Sequence, residues 1–452
     1  MRCSLVLAAL SLLVTPALLA QPARGTTFSK QLKFVLVLSR HGVRPPLKSN
    51  QELRPFAAQP WPEWKVPLGY LTDHGALALT QMGAWMREVY DAEHLFEPGE
   101  CPAATSVYAY ADTDERNVRS TQATFEGFAP KCAMPEIHTY TGRDRDPFFN
   151  LNAKAVPHVA AAQDRELVAQ SLARLGDDPQ VALTAAGEPQ LTVLAHLLSP
   201  DAAHPAADNI LTAPVSVTAD LDSASGVKVR GPLAEAGTLA EDILLEYTDD
   251  MPMKDVAWGR LGNDEAAAAP AVQDLGVLAA QEFLLSIGSP RAAALHGNTT
   301  LARIVATLDR AAREASPTAA NDPAVSDRAA TKAEPLGPAG TRFVYLSGHD
   351  TNLHALQVMM HLTWADPRLT YADTPPDSQI VFELWQWHHS AEIEVRAYFR
   401  AQTLLQVRQA STLSAQDPPV LVPLTLPGCE AQKPCMLTQF AAAAETLIAA
   451  TP

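Results

Sequence analysis

Seven consecutive residues, Arg40-His41-Gly42-Val43-Arg44-Pro45-Pro46, are of types that can hold and attack an anion. Two guanidinium forks flank one imidazole and offer donors that match phosphate oxygens. The glycine permits close backbone approach to a ligand, and the prolines stiffen the exit. The segment follows the apolar run 34–38, which reads as a buried strand. In an open α/β sheet, ligands bind beyond the carboxyl ends of strands. Two further stretches that read as strands end in the same way. Residues 107–111 lead into Asp112-Thr113-Asp114-Glu115-Arg116, and residues 342–346 lead into Ser347-Gly348-His349-Asp350-Thr351-Asn352. Three strand ends carrying arginine, histidine and aspartate predict one cluster suited to phosphoryl transfer. An imidazole nitrogen can attack phosphorus and form a covalent intermediate. Fixed cations stabilise charge on the equatorial oxygens, so no metal and no cofactor is required. A carboxylic acid beside the bridging oxygen can protonate the departing alcohol.

These residues need a scaffold, and the chain predicts one. Residues 76–90 carry Leu79, Met82, Met86 and Val89 at helical spacing, a stripe that faces a core. A helix is expected from the Asp112–Arg116 segment to about Phe128. The alternating runs 380–387 and 392–399 read as a hairpin. Residues 153–285 are rich in alanine and leucine and read as mainly helical, with Pro189 in a first helical turn. Stretches 199–208, 263–271 and 315–340 read as loops. Strands separated by helical stretches predict an α/β core, with the helical middle packed beside it.

The 452 residues carry a formal net charge of −16, which argues against nucleic acid or anionic lipid as a partner. An arginine-rich motif in so acidic a chain implies a local positive pocket. Residues 1–20 resemble a secretory signal peptide, with Met1-Arg2 before an apolar stretch and cleavage expected after Ala20. That stretch is too short to favour a membrane span. Export predicts a periplasmic or secreted protein, free of the membrane once processed and monomeric. Its removal takes away Cys3 and leaves Cys101, Cys132, Cys429 and Cys435, an even count that fits disulfides. Of three possible pairings, the local one is expected: Cys101 with Cys132 and Cys429 with Cys435.

The pattern R-H-G-x-R-x-P at 40–46 resembles the signature of the histidine acid phosphatases. A chance match in a chain of this length is on the order of 10⁻⁴. Gly348-His349-Asp350-Thr351-Asn352 resembles that family's second motif. Asp114-Glu115-Arg116-Asn117-Val118-Arg119, Trp258-Gly259-Arg260, Thr374-Pro375-Pro376 with Val381-Phe382-Glu383, and Gly428-Cys429-Glu430 are similar to the bacterial periplasmic phytase and acid phosphatase branch. The resemblance implies an α/β core, a mixed and mostly parallel sheet flanked by helices, with an inserted mainly helical domain. The core would span 27–152 and 286–452, and the insertion 153–285. It implies His41 as nucleophile and Asp350 as proton donor. Arg40, Arg44, His349 and Arg116, the last in preference to Arg119, would bind phosphate. Lys48, Met251 and Thr351 are candidate substrate contacts. The expected substrate is a small phosphate ester, phytate or similar. The alternatives are a glucose-1-phosphatase-like sugar phosphatase and a non-catalytic phosphate-binding protein. One departure weakens phytate: Pro45-Pro46-Leu47 stands where the resembled phytases carry Ala-Pro-Thr, so a hydroxyl is lost at Leu47.

Overall fold

The computed structural model describes residues 30–143, 145–150, 179–199, 216–219, 227–316, 333–369, 374–387 and 392–449. The expected signal peptide, residues 1–20, lies outside them, as do 200–208 and 317–332 of the expected loops. No helix among the described residues is long and apolar enough to cross a membrane.

Strands β1 (Lys30–Arg40), β2 (Val107–Ala111), β3 (Ile137–His138), β6 (Phe343–Gly348), β7 (Gln379–Trp387), β8 (Ile393–Ala401) and β9 (Val420–Leu424) form one mixed sheet in the order β3-β2-β6-β1-β7-β8-β9. The pairings β3-β2, β2-β6 and β6-β1 are parallel. Those from β1 through β9 are antiparallel.

Both faces of the central strands are covered, which explains their unbroken apolar runs. Phe34, Leu36 and Leu38 of β1 face one core together with Val344 and Leu346 of β6. That core is closed by α7 (Pro290–Ala315), α8 (Asp350–Met359) and α10 (Leu437–Ala449), through residues such as Leu301, Leu308, Leu356 and Phe440. Val35, Val37, Phe343 and Tyr345 point the opposite way, as strand alternation requires. They meet Met82 and Met86 of α2 (Asp73–Ala92) and Phe125 and Phe128 of α3 (Glu115–Phe128). Helices α2 and α3 cross where each has a glycine: a Cβ at Gly83 or Gly127 would lie 2.0 or 1.8 Å from a carbonyl oxygen of the other helix.

The middle of the chain supplies α4 (Pro179–Leu198), the antiparallel pair β4 (Ser216–Ala219) and β5 (Val227–Arg230), α5 (Pro232–Thr248) and α6 (Glu265–Ser286). Leu191, Leu194, Leu239, Ile243, Leu275 and Leu278 pack together, and Leu53 and Trp61 join them from the segment after the first motif. Two local expectations are corrected. Pro189 lies inside α4 rather than in its first turn. Residues 265–271 are helical, because Asp264 caps α6 by accepting from Ala267 N at 3.1 Å, and Pro270 is carried inside the helix. Packing of α6 against its neighbours outweighs the local preference of a proline for a break.

The cysteines pair locally: Cys101 with Cys132 and Cys429 with Cys435. The first bridge ties the approach to β2 to the segment that leaves α3.

Candidate active site

Strand register brings the three motifs together. Arg40 is the last residue of β1 rather than the first beyond it, and it lies opposite Gly348 of β6. Ser347 lies opposite Ala111 of β2. The next residues along these strands, His41, His349 and Asp112, therefore emerge side by side at one edge of the sheet. Backbone bonds fix the first of them on two sides. His41 N donates to Gly348 O at 3.0 Å, and His41 O accepts from Asp377 N at 3.1 Å.

Packing leaves little room for a side chain at Gly42. A Cβ there would lie 2.7 Å from Leu79 Cδ1 and 3.0 Å from Leu71 Cδ1, so the motif loop rests directly on α2.

His41 is buried, with Nδ1 2.8 Å from the carbonyl oxygen of Gly42. That bond assigns the proton to Nδ1 and leaves a lone pair on Nε2. Burial, followed by the charges of Arg116, Arg44, Arg40 and His349, holds the imidazole well below its usual pKa, hence neutral. The His349 ring stands edge-on to it, with centroids 5.6 Å apart.

Around this ring lie three guanidiniums. Arg40 and Arg44 are buried, and Arg116 keeps 14% of its side chain exposed. Arg44 Nε and Arg116 Nε are buried donors with no hydrogen-bond partner among the described residues. Arg116 comes from the first turn of α3 and binds Asp114 at 2.6 Å. Arg119, the other candidate, instead donates to Gln122 Oε1 at 2.9 Å on the same helix.

Asp350 opens α8, where the positive end of the helix dipole favours a carboxylate. Its Oδ2 is 3.0 Å from Arg40 Nη2. Burial pushes its pKa up, but Arg40, Arg44, His349 and His354 outweigh burial and hold the carboxyl well below the usual range. Thr351 donates to Asp350 Oδ1 from N at 2.7 Å and from Oγ1 at 3.2 Å, so in this structure it orients Asp350.

Two residues without a role in the sequence reading complete the cluster. Asp112 Oδ2 is 2.6 Å from His349 Nε2 and also accepts from Asn150 Nδ2 at 2.8 Å. His349 Nδ1 faces Arg116 Nη2 at 3.4 Å, which assigns the His349 proton to Nε2. Burial raises Asp112, yet the bond and charge of His349 prevail, and its carboxyl falls below its ordinary value. Glu241, on α5, takes a short bond from Arg40 and stands 3.4 Å from Arg44 Nη2. Asp112 sits directly at a strand end and was legible from position. Glu241 carried no such signal.

Two of the three remaining candidates are engaged elsewhere. Lys48 is bound to Glu235 of α5 at 3.1 Å. Met251 belongs to a separate apolar cluster with Leu244, Tyr247 and Val256 and lines a cavity of about 570 Å³ with Trp64 and Trp258. Among the described residues, Asp112, Asp114 and His349 are the donors that converge closely enough to hold a metal ion. Each already has a partner: His349 with Asp112, and Asp114 with Arg116.

A buried neutral histidine ringed by arginines at the carboxyl edge of a doubly covered α/β sheet defines a protein class that handles phosphate through imidazole. The family model described as the histidine phosphatase superfamily (branch 2) matches residues 31–222, so that stretch is similar to a domain of this superfamily. The chain's homologues are histidine acid phosphatases, hydrolases of phosphomonoesters. It is similar to phytase AppA of Escherichia coli strain K12, with 29% identity over 91% of this chain and 90% of that protein. It is also similar to the glucose-1-phosphatase of Salmonella typhimurium, with 28% identity over 93% and 94% of the two chains. Among solved structures, Hafnia alvei phytase in complex with tartrate superposes with a TM-score of 0.78 and 28% identity, over 92% of this chain and 97% of that one.

Proposed function

We propose that this protein hydrolyses phosphate monoesters of small alcohols through a phosphohistidine, with His41 as nucleophile and Asp350 as acid. The observation that carries the reading is the state of His41: neutral, its Nδ1 tied to Gly42 O, and its Nε2 left as the nucleophilic nitrogen inside a ring of guanidiniums. Arg40, Arg44 and Arg116 supply donors to the transferring phosphoryl oxygens, and the His349 ring packs edge-on against the nucleophile beside them. Nε2 attacks phosphorus, the P–O bond to the alcohol breaks, and Asp350 delivers a proton to the departing oxygen. Water then attacks the phosphohistidine, Asp350 takes a proton from it, and phosphate leaves. Asp112 holds the His349 ring in register for this work.

The relatives bear two names, phytase and glucose-1-phosphatase. We favour single-phosphate esters as substrates over phytate. The supporting observation is that Lys48, the cation nearest in sequence for a second phosphate, is paired with Glu235. We also propose export to an oxidising compartment, on the strength of the leader-like residues 1–20 and the two disulfides.

The test is His41→Ala with a rapid acid-free quench. Wild type should accumulate a base-stable, acid-labile phosphoenzyme. The variant should lose it together with several orders of magnitude in turnover. Activity within about tenfold of wild type would exclude the covalent route.

A further inference from the structure

We propose that His354, a buried histidine that no step above uses, is a positioning residue for the reaction: through Thr374 it aims the guanidinium of Arg40 at the transferring phosphoryl group. The inference rests on the function proposed above and adds a residue that acts through another side chain rather than on the substrate.

His354 follows Asp350 by one turn of α8, so the two share a face of the helix. It is buried, as is Thr374. Three contacts fix the ring. Its Nδ1 is 3.0 Å from Gln357 Oε1, and its Nε2 is 3.1 Å from Thr374 Oγ1. The Phe283 ring of α6 stacks on it, with centroids 4.3 Å apart and planes 19° from parallel. The amide oxygen at Nδ1 assigns the proton to that nitrogen. Nε2 is then the acceptor, and the Thr374 hydroxyl donates to it. The carbonyl oxygen of the same threonine accepts from Arg40 Nη1. The other terminal nitrogen, Arg40 Nη2, reaches Asp350 Oδ2 at 3.0 Å. One helix thus braces both ends of the guanidinium, directly through Asp350 and, one turn on, through His354 and Thr374.

A leucine at this position would fill the space but offer Thr374 no acceptor there. Misplacing a group that orients substrate by about 1 Å costs on the order of 10²-fold in rate. The brace also depends on a neutral imidazole. Burial holds His354 at about 4; the charge of Arg40 adds to this, while the Gln357 bond and Asp350 oppose it. Among the described residues, Asp350 on its own helix and Arg40 on β1 are the charged groups that bear on it, and α6 faces it with the apolar Phe283 ring. Protonation puts a hydrogen on Nε2, so the Thr374 hydroxyl can no longer donate there. It also sets a cation within reach of Asp350, which keeps that carboxyl ionised when it must carry a proton. Both effects reduce turnover, so kcat/KM should fall as pH drops through about 4.

The experiment compares wild type, His354→Leu, Thr374→Val, the double variant His354→Leu/Thr374→Val, and His354→Gln. It measures kcat/KM for p-nitrophenyl phosphate from about pH 3 to 7 at fixed ionic strength, a profile that reports groups of the free enzyme. Calorimetry at about pH 5 measures the binding of inorganic phosphate. At that pH, His354→Leu and Thr374→Val should each lower kcat/KM about tenfold or more and weaken phosphate binding about fivefold or more. The double variant should stay within about threefold of the worse single change, because both break the same arm of the brace. Glutamine can set an amide oxygen near the place of Nε2 and does not titrate. His354→Gln should therefore recover to within about threefold of wild type at about pH 5 and lose the fall near pH 4. Unchanged kinetics in His354→Leu, losses that multiply in the double variant, or an acid limb in His354→Gln that matches wild type each overturns the role. Should His354→Leu fail to fold, Thr374→Val and the pH profile of His354→Gln decide in the same terms. Absence of p-nitrophenyl phosphate turnover in wild type overturns the proposed activity instead, while phosphate binding still reads the brace.

Discussion

Asp350 holds a charge state that ordinary catalysis by a carboxylic acid does not use. Without ligand it is a carboxylate paired with Arg40, held down by two arginines and two histidines against the upward push of burial. A bound phosphate dianion competes for the same guanidiniums and adds negative charge nearby, and both effects raise the proton affinity of Asp350. Substrate binding thus helps to load the acid, and turnover should be favoured on the acid side while His41 stays neutral. The leaving group exposes this role. An alkoxide from a sugar departs poorly without a proton, whereas p-nitrophenolate needs none. Asp350→Asn should therefore slow sugar phosphate hydrolysis by about 10²–10⁴-fold, the range of general acid catalysis, and p-nitrophenyl phosphate hydrolysis far less. Equal losses on both substrates, with chemistry rate-limiting, would reduce Asp350 to a structural anchor.

Elements explain what the sequence could and could not say. Strands β1, β2 and β6 were legible because both of their faces are buried, so apolar runs stand out, and β2 spans 107–111 as expected. The stripe of α2 was legible for the same reason. Strand β9 was not, since its exposure alternates and Pro423 interrupts it. Glu241 and Glu235 were invisible because a helix distant in sequence brings them to the site. A third hidden feature lies behind His41. Asp377, buried in a left-handed backbone conformation (φ 66°), donates its N–H to His41 O, and Ser378 O accepts from Arg40 N. Gln379 links Asp377 to the buried Arg400: its Nε2 donates to Asp377 Oδ1 at 3.2 Å, and its Oε1 accepts from Arg400 Nε at 2.7 Å. Gln379→Leu would strip both neighbours of this bridge. Buried groups so exposed to a loss of partners cost about 1–3 kcal/mol each. The melting temperature should fall and kcat with it, because the same turn holds the nucleophile. An unchanged melting temperature together with unchanged kcat would show that the bridge does not support the site.

At the scale of the molecule, buried carboxyls set where the fold is strongest. Asp242, Glu246 and Asp377 are almost fully buried, and burial is the first cause that raises each to about 8. An unfolded carboxyl titrates near 4. Between those values the folded state keeps protons that the unfolded state has released, so stability must decline as pH rises through that window. Asp112 and Asp350 behave in the opposite sense. Their folded values are depressed, so their contribution is present above about 4 and is lost as pH falls through those lower values. The two sets bracket a maximum near pH 4–5, about where the unfolded carboxyls titrate. A protein with a net charge of −16 at pH 7 also relieves self-repulsion as it moves toward its pI of about 5.2. Thermal unfolding at constant ionic strength should therefore give its highest midpoint in this acidic window and lose several degrees by pH 8. Glu246→Gln keeps the shape of a group that accepts a bond from Ala257 N at 2.9 Å and removes its titration. In that variant the decline toward pH 8 should be shallower than in wild type. A wild-type midpoint that stays flat or rises from pH 5 to 8 would mean that these carboxyls ionise in the fold without cost.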